Sequence, residues 1–260
     1  VIGRPLNPPL TDWRGRRVWL VGASTGIGAA LARALAARGA QLALSARHPD
    51  KLAEAAAACP DALLLPLDLS HENQFAAVHQ RLLAQWGAID VVMFVAGTYR
   101  PLRAWELDAA AVYETMAVNL TGTLCGVATV LPPMLARGAG SIVLVASVAG
   151  YRGLPRALLY GSSKAALINF AETLYLDLAP RGLGVYLVDP GFVATPLTAA
   201  NDFRMPALID ADTAAREILT GMARGEFEIH FPKRFTRVMK ALALLPRRCY
   251  FPLIRRITGV

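Results

Sequence analysis

Cysteine is scarce in these 260 residues: only Cys59, Cys125 and Cys249 occur, far apart and in no CxxC or Cys/His spacing. That argues against a disulfide framework or a thiolate metal site and fits a reducing compartment, so the chain is expected in the cytoplasm without a metal. Charge is sparse as well, 18% against 55% hydrophobic residues, which excludes a disordered chain. No run approaches the roughly 18 apolar residues of a membrane span. Residues 1–15 carry Pro5, Pro8 and Pro9 but no apolar core stretch, and read as an extended arm, not a signal peptide. The sharpest absence is of acid near the other end. Residues 229–260 hold eight Lys/Arg and no Asp or Glu, while the preceding residues balance 19 against 19, so the net charge of +8 belongs to that segment alone.

What is present is a recurring pattern. Short apolar runs rich in β-branched residues fall at 17–21, 41–46, 62–66, 89–95, 141–146, 184–189 and 227–231. Between them lie Ala/Leu-rich stretches at helical period, 28–38, 71–86, 109–136, 160–179 and 210–224. Strand and helix alternating in this way predict one α/β domain over 16–231, a doubly wound, Rossmann-type parallel sheet between two helical layers. Residues 232–260 follow it as a basic helical extension. In such sheets ligands sit beyond the carboxyl ends of the strands, so functional residues should follow strand ends.

The first strand runs into Gly22-Ala23-Ser24-Thr25-Gly26-Ile27-Gly28 and then an Ala/Leu helix. A helix N-terminus presents unpaired N–H groups and partial positive charge, and glycines let a diphosphate approach it closely. The alternative is a plain strand-to-helix turn, and the GxxxGxG spacing differs from the commoner GxGxxG. A second signal is independent of the first. The second strand ends Ser45-Ala46-Arg47, where an acid would meet a ribose 2′-hydroxyl and an Arg would grip a 2′-phosphate. With no acid and one guanidinium, NADP(H) is favoured over NAD(H), unless Arg47 is only a solvated surface cation.

Ser147 follows the fifth strand, and Tyr160 and Lys164 stand at i and i+4 at the start of the next helix, on one face. A phenol of pKa about 10 needs help to exchange a proton at neutral pH, and an ammonium one turn away is expected to bring it down. Taken singly, Ser147 reads as a strand-end cap, Tyr160 as an interface aromatic and Asn119 as a helix polar residue. Together with Gly22 to Gly28, Ala96-Gly97 and Pro190-Gly191 followed by Thr195, in this order over about residues 15–230, they closely resemble the short-chain dehydrogenase/reductase family.

The resemblance implies roles. Tyr160 would be the general acid/base, Lys164 its partner and a ligand of the nicotinamide ribose, and Ser147 the group that orients the substrate oxygen. Asn119 would open its helix and hold a water relaying protons to Lys164. Ser24, Thr25, Gly26, Ile27 and the flanking glycines would hold the diphosphate. Asp68 and Leu69 would meet the adenine, and Ala96 and Gly97 the adenosine. Pro190, Gly191, Val193 and Thr195 would approach the carboxamide. The family also implies sheet order 3-2-1-4-5-6-7, a homodimer or homotetramer through the helices bearing Asn119 and Tyr160, and a small carbonyl or alcohol substrate.

Two positions depart from the family pattern: Val21 where Thr is usual before the glycine turn, and Val95 where Asn is usual before Ala96. Exchanging both polar partners together can be nearly neutral, so the change reads as structural. A hydrophobic ketone, aldehyde or acyl substrate is expected between residues 148–155 and 192–206, with Leu154, Leu158, Phe192, Leu197 and Phe203 as walls and Arg152, Arg156 and Arg204 nearby. In the extension Phe235, Val238, Met239, Leu242 and Leu245 recur at helical spacing opposite Lys233, Arg234, Arg237 and Lys240. Such a helix either meets an anionic membrane or packs on the body or a second subunit. Nucleic acid is not expected, because bulky aliphatics interleave the cations. The competing reading of the whole chain is a non-catalytic, NADP(H)-responsive scaffold working through this extension.

Overall fold

A computed structural model of the chain describes residues 4–199, 201–203 and 205–259. Seven strands, β1 Arg17–Val21, β2 Gln41–Ser45, β3 Leu63–Leu64, β4 Val91–Phe94, β5 Ser141–Val145, β6 Gly184–Pro190 and β7 Glu228–Phe231, form one sheet. Its order is β3-β2-β1-β4-β5-β6-β7, with every pairing parallel. The strands are apolar throughout because both faces are covered. In β1, Val18 and Leu20 join one core cluster and Trp19 and Val21 the other. Helices α1 Gly26–Ala36, α2 Pro49–Ala56 and α7 Ala211–Ala223 line the first face. Helices α3 Glu72–Trp86, α4 Ala109–Met116, α5 Gly122–Arg137 and α6 Leu158–Leu178 lie toward the second. The direction of winding reverses between β1 and β4, which leaves a crevice beyond their carboxyl ends.

The arm is tied to this body. Asn7, 3% exposed, donates from Nδ2 to the carbonyl of Val185 at 2.6 Å and accepts the Val185 N–H at 2.9 Å. Leu10 and Trp13 enter the first core cluster.

Within the continuous helical structure over Ala109–Arg137 an 18-residue window has a mean hydropathy of 1.4, long and apolar enough by length and composition to cross a membrane. This corrects the expectation that no segment qualifies. Here it buries Val127, Val130 and Met134 against the sheet.

The extension forms two helices, α8 Lys233–Leu244 and α9 Arg247–Thr258. They are separated because Pro246 disfavours helical backbone at Leu245, which is extended at ψ 142°. Thr236, Met239, Tyr250 and Ile254 are the side chains buried against the body. Polar contacts add to them. Lys240 Nζ lies 2.5 Å from Glu228 Oε2, Thr236 Oγ1 lies 2.6 Å from His230 Nδ1, and the Tyr250 hydroxyl donates to the Gly153 carbonyl at 2.7 Å. Arg152 donates to the carbonyls of Leu242, Ala243 and Leu245, which the end of α8 leaves without helical partners, and stacks over Tyr250 at 4.0 Å from its centroid.

At the departures from the family pattern the strand ends are held by backbone. The N–H groups of Val95 and Ala96 both donate to the Val21 carbonyl, at 2.8 and 3.0 Å, and the Val21 side chain is buried in the second cluster. A hydroxyl placed there alone costs about 1–3 kcal/mol if it finds no partner. Val21→Thr is therefore expected to lower the melting temperature by a few degrees in calorimetry; a clear rise would count against the exchange being structural.

Candidate active site

A cavity of about 390 Å³ opens where the strand order reverses. The first loop makes its floor. Gly22 sits at φ +98°, and a Cβ there would lie 2.4 Å from the Ala96 nitrogen. A Cβ on Gly28 would lie 2.0 Å from the Gly22 carbonyl oxygen. Only glycine permits this closeness of loop, helix and neighbouring strand. Thr25, the N-cap of α1, makes no side-chain cap bond, so the first N–H groups of the helix remain available to an anion in the cavity. Glycines without Cβ and an uncapped helix N-terminus fit a dinucleotide diphosphate. Ser24, Thr25, Gly26 and Ile27 line the same floor.

At one end the lining includes Arg47, with His48 and Lys51 beside it. Arg47 is exposed, and its Nε donates to His48 Nε2 at 3.3 Å. His48 and Lys51 were missed from sequence: Lys51 stands on α2, a short helix whose apolar periodicity is too brief to single out. Asp68 and Leu69 follow. Burial opposes the Asp68 charge, but hydrogen bonds from the Ser70 N–H and hydroxyl, at 2.9 and 2.7 Å, with His71 and Arg47 nearby, bring its pKa below the usual value.

At the other end Ser147, Tyr160 and Lys164 share the cavity with Ala96, Gly97, Pro190, Gly191, Val193 and Thr195. Ser147, two residues past the end of β5, caps the short 3-10 turn Val148–Gly150, and its Oγ accepts the Ala149 N–H at 3.2 Å while lying 3.5 Å from the Pro190 carbonyl. Lys164 Nζ is 5.7 Å from the Tyr160 ring centroid and donates to the Val145 carbonyl at 2.8 Å. Burial pushes the Tyr160 phenol up to about 12, against the hydrogen bond with Ser147, which lowers it. This corrects the expected direction: burial sets the phenol, and the ammonium, aimed at the Val145 carbonyl, does not bring it down. Burial also pulls Lys164 down to about 8, opposed by Asp189.

Asn119 does not line the cavity but stands behind it, fully buried, in a π-type turn at Ala117–Thr121 that interrupts the run from α4 to α5. Its Oδ1 accepts the Thr98 N–H at 2.7 Å, and Nδ2 donates to the Thr98 carbonyl at 2.9 Å and to Ser163 Oγ at 3.2 Å. The side chain thus joins the loop after β4 to α6. Asp189, also missed from sequence, is fully buried on β6 with neither carboxyl oxygen hydrogen-bonded. Burial and then the adjacent Glu228 carboxylate raise its pKa well above the usual range.

The expected substrate walls need correction. Of that set only Leu197 lines the cavity. Phe192 stacks with Phe203 and Phe235 instead, Leu158 is on the surface, and Leu154 does not face the cavity. Arg152 is engaged by α8, and Arg156 pairs with Asp202 at 2.6 Å. Arg204 lies outside the described residues.

Residues 16–204 match the family model for short chain dehydrogenases. An oxidoreductase of Myxococcus xanthus is 33% identical over 246 residues, 93% of this chain and 97% of its own. The cis-4-hydroxycyclohexanecarboxylate dehydrogenase of Sinomonas cyclohexanicum is 37% identical over 212 residues, 80% of this chain and 83% of its own. Among solved structures, a short-chain dehydrogenase from Sphingobium yanoikuyae in complex with NADPH superposes with a TM-score of 0.78 at 28% identity, covering 87% of this chain and 93% of that one. A short-chain dehydrogenase/reductase from Burkholderia phymatum in complex with NAD gives 0.82 at 25% identity, covering 89% and 94%. The glycine floor, the Ser147, Tyr160 and Lys164 group beside it and these matches lead to one statement: the chain belongs to the short-chain dehydrogenase/reductase family, oxidoreductases that use a nicotinamide cofactor on carbonyl and alcohol groups.

Proposed function

We propose that this protein is an NADP(H)-dependent reductase or dehydrogenase acting on a hydrophobic ketone, aldehyde or secondary alcohol, with Tyr160 as general acid/base. The observation that carries this reading is a single cavity with the glycine floor and Arg47 at one end and Ser147, Tyr160 and Lys164 at the other. The relative named for cis-4-hydroxycyclohexanecarboxylate supports the secondary-alcohol part of this reading, its substrate also bearing a carboxylate.

The residues fit the cofactor as follows. The Gly22 to Gly28 loop and the α1 N-terminus hold the diphosphate, Arg47 with Lys51 the 2′-phosphate, Asp68 and Leu69 the adenine, Ala96 and Gly97 the adenosine, and Lys164 the nicotinamide ribose. Pro190, Gly191, Val193 and Thr195 border the carboxamide. When bound, the cofactor supplies or accepts the hydride. Ser147 orients the substrate oxygen by hydrogen bonding, an electrostatic contribution to the developing charge. Tyr160, protonated at neutral pH, donates its proton to that oxygen in reduction and recovers it in oxidation. Asn119 holds the Thr98 loop and α6 in register, so that Tyr160 and Lys164 face the same space.

The setting that goes with this reading is cytoplasmic, as a homodimer or homotetramer through the helices bearing Asn119 and Tyr160, with residues 233–260 as a peripheral membrane contact. Leu176 on α6 and Tyr113 on α4 are 71% and 77% exposed, which supports a partner on that side. A panel of apolar ketones and secondary alcohols with NADPH or NADP⁺, followed at the reduced-nicotinamide absorbance band, tests the function. Turnover of at least one pair is expected, and faster with NADPH than with NADH; silence across the panel would favour the scaffold reading.

A further inference from the structure

We propose that the outer face of α8 and α9 docks on an anionic lipid bilayer, which gives the membrane contact named above its lipid chemistry and its residues. The inner face is occupied, since Thr236, Met239, Tyr250 and Ile254 are buried against the body. The outer stripe of α8 runs Arg234, Arg237, Val238, Ala241, Leu244, spaced as one helical face. Leu244 is 87% exposed. On α9, Phe251 is 55% exposed among Arg247, Arg248 and Arg256, and Ile257, in line with the buried Tyr250 and Ile254 near the end of the helix, is 65% exposed. Single exposed apolar side chains are ordinary, but large ones repeated between cations over two consecutive helices are not explained by solvation alone.

The electrostatics narrow the occupant. Among the described residues, Arg234, Arg237, Arg247, Arg248 and Arg256 form no ion pair, as is true of several arginines of the body, but here five of them lie within 23 residues. No acid occurs anywhere in 229–260 to oppose them. A second copy docking by this same face would bring up an equally cationic surface and be repelled. A nucleic acid would engage the guanidiniums and leave Leu244, Phe251 and Ile257 without a role. An anionic interface uses both sets, with headgroups at the guanidiniums and the acyl boundary at the apolar side chains.

The docked helices also touch both sides of the catalytic segment. Phe235 on α8 packs on Phe192 at 5.4 Å between ring centroids, and Tyr250 on α9 bonds Gly153. A bilayer bound on the outer face therefore sits next to the elements that flank Ser147, Tyr160 and Gly191.

Flotation of the full chain with phosphatidylcholine vesicles, and with vesicles containing about 30% phosphatidylglycerol at roughly 0.15 M salt, tests the proposal. Binding to the anionic vesicles alone is expected. Arg247→Gln with Arg248→Gln and Arg256→Gln, or separately Leu244→Ser with Phe251→Ser, should each lower the bound fraction about tenfold with an unchanged circular dichroism spectrum. No flotation, equal flotation with both vesicles, or flotation indifferent to both variants would overturn it. So would a concentration-dependent dimer that Leu244→Ser with Phe251→Ser dissociates while vesicle binding is absent, because the face would then belong to a second copy. Flotation needs neither cofactor nor turnover, so it fails or succeeds separately from the hydride-transfer reading.

Discussion

Tyr160→Phe is expected to cut turnover by about 10²–10⁴-fold while NADPH still binds within a few-fold of the parent. The change removes one oxygen and leaves the ring, which packs edge-on against Tyr99 at 5.0 Å between centroids, so the fold and cavity should survive. The lost atom is the hydroxyl oxygen, which borders the same cavity as Ser147 and is proposed to meet the substrate oxygen. Because burial holds the phenol up at about 12, it is protonated across the neutral range. Reduction, which needs the proton, should then vary little between about pH 6 and 8. Oxidation, which needs the phenolate, should rise toward tenfold per pH unit over that span, since the ionised fraction does so below the pKa. Lys164, drawn down to about 8, is half neutral there and loses most of its charge between about pH 7 and 9, so both profiles should bend across that window. Stopped-flow turnover and fluorescence titration with NADPH separate the two effects; parent-like rates in Tyr160→Phe would assign the proton to another group.

Arg47→Glu is expected to raise the dissociation constant for NADPH about a hundredfold and that for NADH only a few-fold. A guanidinium on a phosphate is a charge-assisted contact worth about 1.5–3 kcal/mol, and the carboxylate adds repulsion to its loss. Arg47 is suited to the task because no carboxylate claims it: its one side-chain hydrogen bond among the described residues is to His48. Lys51 remains at the same end of the cavity and moderates the effect, so Arg47→Glu with Lys51→Ala should exceed the single change. The NADPH-bound and NAD-bound relatives superpose almost equally well, so the fold does not choose between them, and the proposed preference rests on the charge at the end of β2. Calorimetric titration with both dinucleotides decides it, and an equal loss for both would remove Arg47 from the site.

The sheet and the cofactor floor were legible because each rests on local sequence. Buried parallel strands must be continuously apolar, as in the Val-Val-Met-Phe of β4, and Gly22 and Gly28 are required by contacts within a few residues or with the adjacent strand. What escaped depends on contacts between distant segments. Arg152 read as a substrate-side cation, but it caps α8, and nothing near position 152 announces that the chain returns there ninety residues later. The break at Pro246 turned one expected amphipathic helix into two. Tyr160 and Lys164 were correctly placed on one face, yet their balance was misjudged, since spacing conveys proximity and not how far burial excludes water. Asp189 looked like one more residue closing a strand, and only its complete burial and the Glu228 carboxylate brought beside it by β7 raise its pKa well above the usual range.

The most direct measurement is the fate of a label. Incubating the protein with an apolar ketone and NADPH carrying deuterium at the transferable C4 position should place one deuterium on the carbinol carbon of the alcohol, with none exchanged from solvent, and Tyr160→Phe should form that product at least a hundred times more slowly. Product with its carbinol hydrogen drawn from water, or labelled product formed equally fast without the Tyr160 hydroxyl, would contradict the account.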